Sequence, residues 1–182
     1  MLLNEQQNLI RETAGQFSRE RLLPHSAAWD AEHRFPAEAI KEMAALGFLG
    51  MLVPEAWDGV GADHVSYAAA LMEIAAGDGS CSTIMAVHNS VGCVPILRYG
   101  TEAGKKGISA FIVPTDSPGY QVAKVESKLG QRASDTCQIL FEDVELTPDL
   151  LLGEEGQGYK VALANLEGGR IGIAAQSVGM AR

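Results

Sequence analysis

The chain has 182 residues, 23 acidic and 14 basic, and its formal net charge of −9 repels a nucleic-acid backbone. Its 47% hydrophobic and 20% charged residues supply a core and argue against wholesale disorder. No apolar run approaches the roughly 20 residues that span a bilayer, so membrane insertion is not expected.

The opening Met1-Leu-Leu-Asn-Glu-Gln has no basic region ahead of an apolar run, so no secretory signal is read and a cytoplasmic location is expected. Asn4 and Gln7 have capping-box spacing, and Ile10, Ala14 and Phe17 then recur at helical spacing. Pro24 and His25 are expected to end that helix. Phe35-Pro36 opens a second one, with Ile40, Met43 and Ala44 as its buried stripe and Gly47 just past its end. An apolar connector, Phe48 to Pro54, leads into the turn-rich Trp57-Asp-Gly-Val-Gly61. A third helix is predicted from about Asp63 to Ala76, burying Tyr67, Leu71 and Ile74. Gly77-Asp-Gly79 breaks it, and Ser80 is expected to cap a fourth helix running to about Tyr99.

The pattern changes after Gly100. Strands are predicted at Gly107–Val113, Tyr120–Val125, Thr136–Phe141 and Val144–Leu146, separated by turns such as Ser117-Pro-Gly119. From Gly158 an amphipathic helical pattern returns, carrying Leu163, Leu166, Ile173 and Val178, and persists to Arg182. Cys81, Cys93 and Cys137 lack metal-like spacing, and an odd count without a leader suggests a reducing compartment. Small buried hydrophobes are the expected role for them. His25, His33, His64 and His88 show no ligand spacing either, so no metal is expected. Gly100-Thr-Glu-Ala-Gly-Lys-Lys106 is one residue short of a phosphate-binding loop and lacks its Ser or Thr.

The run Lys128-Leu-Gly-Gln-Arg-Ala-Ser-Asp-Thr136, then Phe141-Glu-Asp-Val144, then Leu152-Gly-Glu-Glu-Gly-Gln-Gly-Tyr-Lys160 resembles the second half of the middle domain of acyl-CoA dehydrogenases. Arg34-Phe-Pro36, Gly47-Phe-Leu-Gly50, Val53-Pro-Glu55 and Ser82-Thr-Ile-Met-Ala-Val-His-Asn-Ser-Val-Gly92 resemble the helical first domain of the same family, in order. The resemblance leans to the short-chain subgroup. It implies an α+β fold, with an N-terminal helical domain over 1–102, part of a β middle domain over 103–152, and the start of a C-terminal helical domain over 153–182. It also implies FAD as cofactor, a short-chain acyl-CoA substrate, electron-transfer flavoprotein as electron acceptor, and a homo-oligomer, usually a tetramer.

The resemblance is interrupted between Glu102 and Ala103, where the family carries the block that faces the flavin ring. The helical domain that usually bears the catalytic glutamate would follow Arg182. The implied expectation is an internally gapped, truncated relative with a spatial break at that join. It would have no catalytic base of its own, and its flavin contacts stay unassigned. The rival expectation is a catalytically silent protein of the same fold that binds acyl-CoA or a partner subunit. Thr147 and Leu150 depart from the family's usual proline and asparagine in a surface turn.

Glu167 and Arg170 stand three apart on the last helix, a spacing that a surface ion pair explains unaided. The resemblance favours a second role for them, contact with the pantetheine and phosphate part of acyl-CoA. Glu167 as catalytic base is disfavoured, because the helix-borne base of a minority of the family falls at Gly169. Gly168, Gly169 and Gly172 each weaken a helix by about 1 kcal/mol relative to alanine, which suggests something approaching closely. Val87 and Val91, four apart on the fourth helix, are implied to line the acyl pocket, with plain core packing as the alternative for either. Apolar side chains on the last helix are expected to be unusually accessible.

Overall fold

The computed structural model describes residues 3–94, 97 and 109–181, with Glu167 described by its backbone alone. The join at Glu102–Ala103 lies outside the described residues, as do the Gly100–Lys106 segment and the first two residues of the strand predicted at Gly107–Val113. The architecture is α+β: a helical assembly comes first, two small antiparallel ribbons follow, and a long helix returns to the assembly.

Helix α1 (Glu5–Phe17) starts with the expected capping box, in which Asn4 and Gln7 satisfy each other's backbone donors. Pro24 does not end it. The helix widens into a π turn at Ser18–Leu22 and continues as α2 (Leu23–Glu32), with Pro24 in the first turn of the new segment. A proline there lacks only a donor that the register change had already left over. Helix α3 (Ala37–Ala45) buries Ala39 and Met43, with Ile40 partly buried, whereas Ala44 faces solvent. Gly47, at φ +81°, takes the left-handed position that closes α3.

Helix α4 (His64–Gly77) is capped by Asp63 and buries Tyr67, Leu71 and Ile74. Helix α5 (Gly79–Val87) is capped by Asp78 rather than Ser80, through Cys81 N–H donating to Asp78 Oδ1 at 2.6 Å. A carboxylate one residue ahead of the first turn reaches that N–H; Ser80 is already inside the helix and buried. Leu22, Met43, Met51, Tyr67, Leu71, Ile74 and Met85 are fully buried in one continuous core.

The β part is smaller than the periodicity suggests. Strand β1 (Ala110–Phe111) pairs only with β4 (Leu151–Leu152), while β2 (Tyr120–Val125) pairs with β3 (Cys137–Phe141). Val144–Leu146 is not a strand: Asp143 turns the chain at φ +50°, and no described strand supplies a ladder partner there. Helix α6 (Gly158–Met180) packs antiparallel to α5 and alongside α4. At Gly179 an added Cβ would lie 2.2 Å from the Met72 carbonyl oxygen, so glycine there is a condition of the α4–α6 crossing. Leu163, Leu166, Ile173 and Val178 are between 47% and 55% exposed, as expected for an apolar face uncovered by these residues.

Candidate functional site

A short β-free stretch, α5 and the π turn that follows it, builds one wall of the candidate site. The turn spans His88–Cys93 and is fixed by Asn89, which is fully buried. Its Nδ2 donates to the Phe48 and Met85 carbonyls at 2.8 and 3.0 Å, and its Oδ1 accepts from Leu52 N–H at 3.2 Å. Such single-turn π segments shift the register of one helix face and recur at functional sites. Here the shift presents Ser90 and Val91 towards α6.

Between the two helices lies a cavity of about 470 Å³. Ala86, Val87, Ser90 and Val91 form one wall, and Leu166, Gly169, Arg170, Ile173 and Ala174 form most of the other. Val87 and Val91 are half-exposed on that wall, so core packing does not account for either. Arg170 is exposed at the rim and makes no ion pair among the described residues. Three of the four residues singled out by sequence therefore border one apolar groove with a cation at its edge. The Glu167 side chain, the fourth, lies outside the described residues.

The glycines separate into two kinds. At Gly172 an added Cβ would come within 3.1 Å of Tyr67 Oη and 3.2 Å of Ala86 Cβ, so the protein's own helix packing explains it. At Gly168 and Gly169 the nearest atoms would belong to Ser90, at an ordinary 3.7 and 3.9 Å. Those two glycines leave groove volume that a side chain would fill.

Asn165 was not legible as a site residue from spacing alone. The one available signal was an amide on the same helix face as Val161, Gly168 and Gly172. It borders this groove and two adjoining cavities, of about 180 and 360 Å³.

The Lys128–Thr136 segment forms the loop between β2 and β3 and anchors the ribbon to the helices. Arg132 donates to Asp30 on α2 through its backbone N–H at 2.9 Å, Nε at 3.1 Å and Nη2 at 2.7 Å. Hydrogen bonds from Arg132 hold the Asp30 carboxyl below the usual carboxylate range. From the same loop, Gln131 accepts from Thr83, and Gln176 of α6 reaches Gly79 O, Ser82 Oγ and Thr83 Oγ1. These contacts tie α6 and the loop to the first turns of α5, beside the groove.

Neither Cys81 nor Cys93 is an activated thiol. Burial, with Asp78 nearby, pushes the Cys81 thiol up, and burial raises Cys93. His88 Nδ1 lies 2.8 Å from the Leu49 carbonyl and must donate to it, so it cannot take a proton from Cys93, 3.4 Å away. Among the described residues no three His, Cys, Asp or Glu side chains gather as a metal site, and no helix is long and apolar enough to cross a membrane.

A family model described as the acyl-CoA dehydrogenase N-terminal domain matches residues 4–110. The chain is 34% identical to the mitochondrial short-chain specific acyl-CoA dehydrogenase of Bos taurus over 251 aligned positions, covering 99% of this chain and 61% of that protein. It is 31% identical to an acyl-CoA dehydrogenase of Bacillus subtilis, of which it covers 66%. Among solved structures, butyryl-CoA dehydrogenase from Megasphaera elsdenii superposes with a TM-score of 0.92 at 25% identity, over 98% of this chain and 66% of that one. A chain from the structure of the electron transferring flavoprotein of Acidaminococcus fermentans superposes at 0.93 with 27% identity, over 98% and 66%. The chain thus spans less than two thirds of the length of these relatives, and over that span it belongs to the acyl-CoA dehydrogenase family.

Proposed function

We propose that this chain carries the acyl-CoA-binding groove of an FAD-dependent acyl-CoA dehydrogenase acting on short-chain thioesters. That reaction is α,β-dehydrogenation, with electrons leaving to an electron-transferring flavoprotein. The observation that carries the reading is the groove between α5 and α6, apolar on both walls, with Arg170 at its rim. An apolar trough suits an acyl chain, and a guanidinium suits the phosphate or amide groups of coenzyme A. In this reading Val87 and Val91 contact the acyl chain, and Glu167 and Arg170 contact the pantetheine and phosphate part. The exposed apolar face of α6 would be covered in a cytoplasmic homotetramer. The division into 1–102, 103–152 and 153–182 belongs to the same reading.

The residues described here do not fit FAD on their own. The β part consists of two separate two-stranded ribbons, and every residue of β3 is exposed. Among the described residues these strands enclose no slot for a flavin ring, so no step of the reaction is assigned to this chain's side chains. Its share is to bind and orient the thioester. A second reading, an acyl-CoA-binding protein without catalysis, is favoured by one observation. The match to the Bos taurus protein runs over 251 positions against 182 residues here, so the relative carries internal residues with no counterpart in this chain.

The test is calorimetric titration of the 182-residue chain with butyryl-CoA and with free coenzyme A, followed by the same titrations on Arg170→Ala. Butyryl-CoA should bind more tightly than coenzyme A, and the variant should lose roughly tenfold in affinity for both. Equal affinity for the two ligands would overturn the groove as an acyl site. Bleaching of added FAD by butyryl-CoA in the presence of this chain would overturn its non-catalytic share.

A further inference from the structure

The helical assembly carries a separate cavity that shares no lining residue with the α5–α6 groove. It measures about 250 Å³ and lies between the Ser18–Leu22 π turn, α2 and α3. Its floor is apolar and well packed, since Trp29 and Ala39 are each only 6% exposed. Its walls are charged. Arg21 reaches in from the π turn, and Glu38 and Glu42 stand one turn apart on α3. Arg34 follows the left-handed residue His33 that ends α2. It is held beside the floor, because its backbone N–H donates to the Trp29 carbonyl at 2.9 Å.

The carboxylates of this cavity are already paired, and several of its donors are not. Glu42 accepts both arms of the Arg21 guanidinium, from Nε at 2.7 Å and from Nη2. Glu38 accepts from Lys41 at 2.8 Å. Arg34 commits only its Nε, to Glu32 at 2.9 Å, so both terminal nitrogens are without a partner among the described residues. His25 stacks on Trp29, with ring centroids 5.5 Å apart, and makes no hydrogen bond among them either. The Trp29 indole N–H, on a side chain more than nine-tenths buried, likewise has no acceptor there. Asn165 Oδ1 is unpartnered but sealed from solvent; the indole nitrogen is not sealed, so a bound group can reach it. A largely buried N–H without an acceptor is unfavourable until water or a ligand supplies one.

We infer that this cavity is a binding site for a small oxyanion, a phosphate or carboxylate group. Its holders are the terminal nitrogens of Arg34, the Trp29 indole N–H and a ring N–H of His25. An oxyanion brings acceptors and no donors, which is the half of the hydrogen bonding that the cavity lacks. The Arg21–Glu42 pair is neutral as a unit, so Arg34 sets the sign of the charge beside the floor. Glu38 opposes it weakly, being 81% exposed and paired with Lys41. A chain of net charge −9 repels anions in general, so this donor-lined cavity is a local exception. The inference does not depend on the acyl reading of the groove.

The experiment uses the 182-residue chain carrying Trp57→Phe, which leaves Trp29 as its only tryptophan. Trp57 is 73% exposed, so the core is untouched. Trp29 fluorescence is followed against phosphate, acetate and neutral acetamide, with sodium chloride as the ionic-strength control. Phosphate or acetate should give a saturable change, and acetamide and chloride should not. The tighter of the two anions identifies the head group. Arg34→Gln should weaken binding roughly tenfold. Glu38→Gln, which removes a negative charge from the rim, should bind at least as tightly as the parent. Both variants alter exposed side chains, so opposite outcomes in the two cannot come from a shared folding defect. A response to acetamide equal to that of acetate, a change that only tracks ionic strength, or undiminished binding by Arg34→Gln overturns the site.

Discussion

The helical assembly and the β2–β3 ribbon follow the same rules of secondary structure and end in opposite states. In the helices, seven large side chains from five segments are fully buried in one core. In the ribbon, β3 is exposed along its whole length and β2 is half-buried only at Tyr120. Both regions form regular backbone hydrogen bonds, the ribbon along its ladder and the helices along their turns. What separates them is a second layer. The helices have one in each other, and among the described residues the ribbon is tied to the helices by the loop that carries Gln131 and Arg132.

The widest expected gap between the two regions is in stability. Leu71→Ala removes a fully buried side chain and should destabilise by about 2–5 kcal/mol, whereas Ile139→Ala on β3 should stay within about 0.5 kcal/mol. Urea titrations followed by far-UV circular dichroism measure both. Equal losses at the two sites would mean that the ribbon is buried in solution and the comparison fails.

Next comes the helix crossing. Gly179→Ala places a methyl against the Met72 carbonyl and Ala75, and should cost about 1–3 kcal/mol. Gly169→Ala has room for its methyl and should be lost only in groove volume, leaving the unfolding midpoint nearly unchanged. If both variants melt alike, α6 is not seated on α4 as described.

The anchor between the regions is sensitive to pH. Arg132 lowers the Asp30 carboxyl relative to the unfolded chain. The attachment is therefore complete above the usual aspartate range and is lost as pH falls through the lowered value. Hydrogen exchange of β2 and β3 amides should rise at acid pH while the helical core stays protected. Asp30→Asn should show the faster ribbon exchange at neutral pH and abolish the pH dependence. Exchange that rises in both regions together would mean that they unfold as one unit.

The smallest effect concerns a second orphan in the core. Tyr67 Oη is buried without a partner and its phenol is pushed up to about 12 by burial. Stability from this group is complete below the unfolded phenol's range near 10 and falls as pH rises towards 12. Tyr67→Phe should leave neutral-pH stability unchanged or raise it by up to about 1 kcal/mol, and should flatten the alkaline loss. A thermal melt series from pH 7 to 11 measures this, and a large neutral-pH loss would show that the hydroxyl has a partner.

Periodicity and caps read from sequence located α1, α3, α4 and α6 because those signals act within a few residues. The Asn4–Gln7 box, Gly47 after α3 and Gly158 at the start of α6 are local chemistry and need no tertiary partner. The misreadings lie where a distant partner decides. Pro24 could be carried through because a π turn precedes it, and Val144–Leu146 stays irregular because no described strand lies beside it. Val87 and Val91 were singled out through family resemblance. Their half-exposed state was not, since it depends on where α6 crosses.

The order of helix-forming and strand-forming segments, the caps that open α1 and α4, and membership of the family were carried by residue order alone, because each depends on neighbours within a turn or on a string of motifs. Tertiary structure alone decided that Gly172 serves helix packing while Gly169 borders the groove. It also decided that Asn89 is satisfied and Asn165 is not. The two asparagines are the same residue type on facing helices, and only the carbonyls and amides brought within about 3 Å by distant segments distinguish them.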